Sequence, residues 1–381
     1  MNIMYLIFSF NTGGIERLLI DLSACMAGRG QHIYLCVIND DITESLLSRL
    51  SPEVTVLRLR RAAGSKFSPR TMKALSDAVG RYRIDILHCQ GINCVLFSLT
   101  AKLFHPRLAI LNTVHDSGNY SSYSGAKIFL ANRLCSETIA ISESVRTEIL
   151  TRHMDPARVI TIYNAINTHK FQYCDRPSRP PLRERDAIRV VNVARVFPKK
   201  KGQDVLLDAI ALLAERYPAL RCDFAGAAAK GQEEAFRSLQ ESVRSKHLED
   251  RVHFLGSVDD IGAFLAAADI FVLPSRYEGF GIALVEALAT GLPCIASDLE
   301  GPAEILSAPG LGLLFKAGDP QSLADCLDRM ISGYESYDRR QISAYVRARY
   351  SIEEMTDRHL ELYRRLLRGK SQEKQAPGHP M

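Results

Sequence analysis

The chain has 381 residues, a formal net charge of +5, 46% hydrophobic and 24% charged residues. This is an ordinary soluble globular composition with material for two large cores, and it excludes a disordered, collagen-like or disulfide-stapled chain. The longest apolar runs fall far short of the ~20 residues of a membrane span, and nine scattered cysteines without a C-x-x-C pair read as reduced thiols.

Residues 2–9 form an apolar run without a basic flank that passes directly into an NTGG loop. They read as a first strand and not as a signal peptide. A helix follows over 15–28, with Leu18, Leu19, Leu22, Cys25 and Met26 recurring at helical spacing as a buried stripe. Gly13 and Gly14 between strand and helix read as a tight turn that needs φ > 0. Further strands are expected at 32–38, 54–59, 84–88, 109–114, 138–141 and 159–162. Helical segments separate them, the βαβ alternation of a parallel sheet. His88 and His115 each end a strand, where a lone histidine has either a core role or a ligand role. Cys89 and Cys94 lack a second pair that would complete a metal site and read as core residues.

Arg58, Arg60, Arg61, Lys66, Arg70 and Lys73 follow one another with no acid between them. They form either a solvated face or a patch for an anionic membrane surface or acceptor. Few aromatics interleave with them, so nucleic acid is not an expected partner. A helix starting at Pro69 places Met72, Leu75 and Val79 on one side, and packing on the sheet is preferred over insertion for that stripe. Residues 174–186 are rich in proline and charge and read as a linker.

The second half repeats the alternation, with strands at 188–193, 221–225, 252–255, 270–273 and 293–296 and a helix at 203–217. An amphipathic helix covers 351–367, and the polar tail from Gly369 reads as disordered. The stretch AGAAAKG at 225–231 follows a strand but lacks the second glycine of G-x-G-x-x-G. The densest motif is PSRYEGFGIALVEALATGLPCIAS at 274–297. A buried strand delivers the chain to a loop carrying Glu278 between glycines, and Glu286 follows in an E-x7-E spacing on the next helix. Such a loop lies at the carboxyl edge of a parallel sheet, where open α/β folds bind ligands. The helix N-terminus favours an anion such as phosphate. Gly279 and Gly281 permit close backbone approach, and the carboxylates accept hydrogen bonds from sugar or ribose hydroxyls. Phosphate and polyol recognition together suggest a nucleotide sugar.

These motifs resemble the retaining glycosyltransferases of family 4, with the GT-B fold, over roughly residues 1–365. The resemblance implies two Rossmann-like, doubly wound domains facing a cleft. An acceptor-side domain covers 1–170, a nucleotide-sugar domain 187–350, and a helix at 351–368 crosses back to the first domain, before a tail at 369–381. It implies that Glu278 and Glu286 hold the donor, with Gly279, Phe280 and Gly281 beside it. Gly13 and Gly14 match the family's opening loop near the donor phosphate or acceptor. Arg195 and Lys201, in VNVARVFPKKKG, match the arginine and lysine that neutralise the leaving nucleoside diphosphate. His115, in LNTVHDSG, matches a histidine that hydrogen-bonds the donor sugar, and Asp116 beside it orders the loop or meets acceptor. Ser257 and Val258, in FLGSV, match the segment whose backbone contacts the base. Asn164 matches an asparagine-glycine turn, with Ala165 in place of the glycine.

No D-x-D and no His/Cys cluster occurs at a strand end, so no metal or other cofactor is expected. The expected partners are a nucleotide-sugar donor, a glycan or lipid-linked acceptor, and an anionic membrane surface. The function implied is sugar transfer with retention in bacterial surface polysaccharide or glycolipid synthesis, at a cytoplasmic location, peripheral on the inner membrane face. Two alternatives stay open, an inactive glycosyltransferase-like partner subunit and a GT-B phosphorylase or epimerase.

Overall fold

The computed structural model describes residues 1–11, 13–62, 68–115, 119–152, 155–175, 180–229 and 231–372. The chain divides into two compact units, Met1–Ala165 together with the chain from Ile352, and Ile166–Ser351. The first unit is built on β1 (Asn2–Ile7), β2 (His32–Asn39), β3 (Val54–Arg61), β4 (Ile86–Gln90), β5 (Ala109–Val114), β6 (Glu137–Ala140) and β7 (Val159–Thr161). All pairings are parallel, in the order β3-β2-β1-β4-β5-β6-β7. β1 and β5 are almost fully buried runs, as parallel strands covered on both faces must be.

The helix Gly14–Gly28 carries the expected stripe, with Leu18, Leu19, Leu22 and Met26 buried and Cys25 half-buried. The helix Pro69–Arg81 opens with Pro69 behind a Ser68 cap and buries Met72, Leu75 and Val79. The terminal helix Ile352–Gln372 packs on Gly14–Gly28 and contributes Met355, Leu362 and Tyr363 to the first core. It continues through residues 369–372, so the polar composition from Gly369 does not end it; residues 373–381 lie outside the described residues. Arg365 grips Glu137 at 2.6 and 2.7 Å and ties the helix to β6.

The second unit carries β8 (Ile188–Val193), β9 (Leu220–Ala225), β10 (Val252–Gly256), β11 (Ile270–Leu273), β12 (Cys294–Ser297) and β13 (Gly312–Phe315) in the parallel order β10-β9-β8-β11-β12-β13. Two sequence boundaries need correction. Residues 166–170 belong to the second unit, because Ile166 N–H bonds to the Tyr350 carbonyl, 2.9 Å, and Arg347 donates to the carbonyls of Thr168 and Phe171. The proline-rich stretch is not a free linker in its second half. Leu182 is fully buried in the second core, and its N–H bonds to Glu335, 2.8 Å.

Candidate active site

The order of the second sheet reverses between β8 and β11, which are neighbours although two strands intervene in sequence. Loops after such strands diverge and leave a ligand crevice at their carboxyl ends. β8 leads to Arg195 and then to the short helix Pro198–Lys201; β11 leads to Glu278 and the helix Ile282–Ala289. Lys201 Nζ donates to Glu278 Oε2 at 2.7 Å, with the side chains 24% and 16% exposed. Ser275 Oγ donates to the same oxygen, 3.3 Å. Both contacts fall on Oε2, which leaves Oε1 to accept a further hydrogen bond.

Arg195 is exposed at the same rim, and among the described residues its guanidinium makes no ion pair. Its loop is held from two sides. Fully buried Gln203 donates to the Arg195 carbonyl, 3.0 Å, and accepts from Phe197 N–H, 3.4 Å. Val196 bridges to Ala228, so the AGAAAKG stretch serves as scaffold for this loop. Gly226 (φ 142°) there lies where a Cβ would run into the Ala194 carbonyl.

Gly281 (φ 108°) caps the helix Ile282–Ala289. Gly301 packs so closely on the Gly279 loop that a Cβ would come within 2.6 Å of the Gly279 carbonyl oxygen. Glu286 is 8% exposed in the second turn of that helix. The Phe280 side chain turns into the core. It is buried and meets the Tyr350 ring edge-on, centroids 5.6 Å apart, so only its backbone can serve a ligand. Ser257 and Val258 follow β10, the edge strand, on the same carboxyl rim two strands from β8.

The first sheet reverses likewise between β1 and β4. Gly13 and Gly14 follow β1, and His115 follows β5 beside Gln90 at the end of β4. His115 Nε2 donates to Gln90 Oε1, 2.7 Å, which fixes the ring orientation. Gly13 is not a φ > 0 turn. It is extended (φ −162°) and serves as N-cap of Gly14–Gly28, with the Glu16 carboxylate folded over it. His88 is a core residue. Its ring bonds Tyr363 Oη and Thr113 Oγ1, both at 2.6 Å, and burial holds it well below the usual imidazole range. Thr12, Lys66 and Asp116 lie outside the described residues.

Residues 12–170 match the family model described as Glycosyltransferase Family 4, and residues 177–348 match that described as Glycosyl transferases group 1. The chain belongs to the family 4 glycosyltransferases. N-acetyl-alpha-D-glucosaminyl L-malate synthase of Bacillus anthracis is 24% identical over 94% of this chain and 95% of its own length. Phosphatidyl-myo-inositol mannosyltransferase of Mycobacterium leprae is 28% identical over 84% of each. The crystal structure of Anabaena HepE in complex with UDP and glucose resembles this chain with a TM-score of 0.80 at 23% identity, over 95% of this chain and 99% of that one. The fold is the two-domain α/β GT-B type.

The sequence reading of this glycosyltransferase missed the residues that hold the site together: Gln90, Gln203, Ser275, Asp204 and Arg276. Ser275 and Arg276 stand inside the 274–297 motif, but the pattern does not show the bonds they make, and Gln90 and Asp204 act on partners 25 and 72 residues away. The basic segment also changes character. Glu44 takes Arg58 at 2.6 and 2.7 Å, and Asp77 takes Lys73 at 2.8 Å. Arg61 bonds Asn39 and lies 5.0 Å from the Phe8 ring centre. Arg60 and Arg70 stay exposed, and an open groove of about 710 Å³ runs beside Arg58 and Arg60. Among the described residues no three His, Cys, Asp or Glu side chains group as metal ligands, and no helix is long and apolar enough to cross a membrane.

Proposed function

We propose that this glycosyltransferase moves a hexosyl group from a UDP- or GDP-sugar to a glycan or lipid-linked acceptor, with retention of anomeric configuration, in bacterial surface polysaccharide or glycolipid synthesis. The observation that carries the reading is the convergence of Arg195, Lys201 and Glu278 at the β8/β11 reversal, with Lys201 and Glu278 2.7 Å apart. Cation and carboxylate side by side match a donor in which a diphosphate adjoins a polyol. HepE in complex with UDP and glucose, and the relative that is a phosphatidyl-myo-inositol mannosyltransferase, support such a donor and a lipid acceptor.

In this mechanism Arg195 and Lys201 take the negative charge that grows on the leaving diphosphate, where preorganised donors act most strongly. Glu278 holds a sugar hydroxyl, Glu286 the ribose hydroxyls, and the backbone at Ser257 and Val258 the base. His115, oriented by Gln90, bonds the sugar. The acceptor oxygen bonds to the anomeric carbon on the face from which the phosphate oxygen departs, and the acceptor proton passes to that phosphate. Excluding water from the reacting atoms limits donor hydrolysis. Arg195 and Lys201 perform this charge work without a bound divalent cation. The enzyme works in the cytoplasm and meets the inner leaflet through the exposed Arg60 and Arg70 of the first unit.

Turnover of a panel of nucleotide sugars, with and without glycan and lipid acceptors, tests this reading. Transfer with retained configuration supports it. Phosphate-dependent turnover, or epimerisation without acceptor, would identify a GT-B enzyme of another reaction, and no donor turnover at all would leave a partner subunit.

A further inference from the structure

Arg276 lies two residues before Glu278, and its guanidinium spans both flanks of Lys201. Nη1 and Nη2 donate to the two carboxylate oxygens of Asp204, each at 2.7 Å, and Nη1 also donates to the Pro198 carbonyl, 2.8 Å. Pro198 precedes Lys201 by three residues and Asp204 follows it by three. The backbone repeats the contact: the N–H groups of Arg276 and Tyr277 both donate to the Lys200 carbonyl, 2.8 and 3.3 Å. Between these bonds Gly202 (φ 66°) sits directly against the Pro274 carbonyl, where no Cβ fits.

We propose that Arg276 and Asp204 form a positioning pair for sugar transfer, fixing the Lys201 ammonium against the Glu278 carboxylate; this rests on reading those two residues as donor ligands. A bidentate guanidinium–carboxylate contact sets direction as well as distance, which a single ammonium cannot do. The pair therefore keeps the cation that meets the diphosphate at a set separation from the carboxylate that meets the sugar. Its partners are partly exposed, 31% and 41%, and the Lys200 carbonyl still joins the two loops when the pair is removed. The fold accordingly survives the loss of the pair, while Lys201 wanders.

The test uses the full chain with R276A, R276K, D204N and the charge-exchanged R276D/D204R, each alone and combined with K201A. Turnover of UDP-glucose, UDP-N-acetylglucosamine and GDP-mannose is read with the melting temperature. A misplacement near 1 Å costs catalysis heavily, so R276A and D204N should each lower kcat about tenfold to a hundredfold. Their donor KM should rise no further than that of K201A. R276K should not restore the rate, and R276D/D204R should recover part of it. In the K201A background, R276A should add less than about a twofold loss, because it acts through Lys201. A full additional loss in that background, or an unchanged kcat in R276A and D204N alike, overturns the positioning role and leaves the transfer reading standing. A folded wild type that neither binds nor turns over any of these donors overturns the transfer reading, and the positioning role with it.

Discussion

Lys201 Nζ stands 2.7 Å from Glu278 Oε2. The cation and the carboxylate that the motifs assign to different parts of one donor are bonded to each other, across loops that follow β8 and β11. The ammonium keeps further N–H donors for a donor phosphate, and a change at either residue also alters the other.

Replacing Glu278 separates the two roles. E278Q removes the charge that strengthens the bond to the sugar hydroxyl and weakens the hold on Lys201 at the same time. We expect turnover to fall by about a hundredfold, as when one transition-state contact is lost. Affinity for free nucleoside diphosphate should hold or rise, while K201A lowers both. Calorimetry with UDP and GDP alongside donor kinetics checks this. Equal loss of nucleoside diphosphate affinity in E278Q and K201A would remove Glu278 from the sugar side.

Glu286 should act on the nucleoside. A hydrogen bond to a charged group contributes about 1.5–3 kcal/mol, so E286Q should weaken nucleoside diphosphate binding by roughly tenfold to a hundredfold. The loss should be shared by free nucleoside diphosphate and intact donor alike. A loss confined to the intact donor would move Glu286 to the sugar.

Acid should loosen the first unit through its terminal helix. His359 is fully buried, donates its Nδ1–H to the Met355 carbonyl at 2.8 Å, and packs tilted against His88 and edge-on against Tyr363. Burial lowers it from 6.5 to about 4. The unfolded chain thus binds the proton more readily between these values, and stability falls as pH drops below 6.5 and levels out near 4. At 1.36 kcal/mol per unit the loss from this group is roughly 3 kcal/mol. His88, faced by Tyr5, Thr113 and Tyr363, adds in the same direction. Urea unfolding at several pH values should give a flatter acid limb for H359F than for wild type; parallel limbs would show that His359 does not titrate on unfolding.

Much of this molecule was legible before its structure. β5, β8 and β11 begin and end where the sequence places them, since strands covered on both faces are rich in apolar residues. β13 escaped notice because Gly312–Phe315 is a four-residue edge strand whose glycine is required by contact with Cys294, which no local pattern records. Lys201 and Glu278 were each visible in a motif, but their bond was not, being 77 residues long in sequence. The patch from Arg58 to Lys73 looked free of acids for the same reason: Glu44 reaches Arg58 through the β2/β3 pairing. His88 is tied to Tyr363 across 275 residues, which decides a core role that its place at a strand end left open.

Membrane contact is expected to be weak. Each basic residue near an anionic surface contributes roughly 1 kcal/mol, screened beyond a Debye length. Glu44 and Asp77 already occupy two of the cations. Sedimentation with anionic vesicles should exceed that with neutral ones at low salt and fall when Arg60, Arg61, Lys66 and Arg70 become Ser. Equal partitioning would leave a solvated surface and a soluble acceptor.

In the proposed mechanism Arg195 and Lys201, with no metal, hold the diphosphate of a nucleotide sugar. Calorimetric titration of wild type and R195A/K201A with a panel of UDP-, GDP- and ADP-sugars in chelator tests it most directly. We expect at least one donor to bind wild type in chelator and to lose binding in the double variant. Binding that requires added Mg²⁺ or Mn²⁺, or that is the same in both proteins, would contradict it.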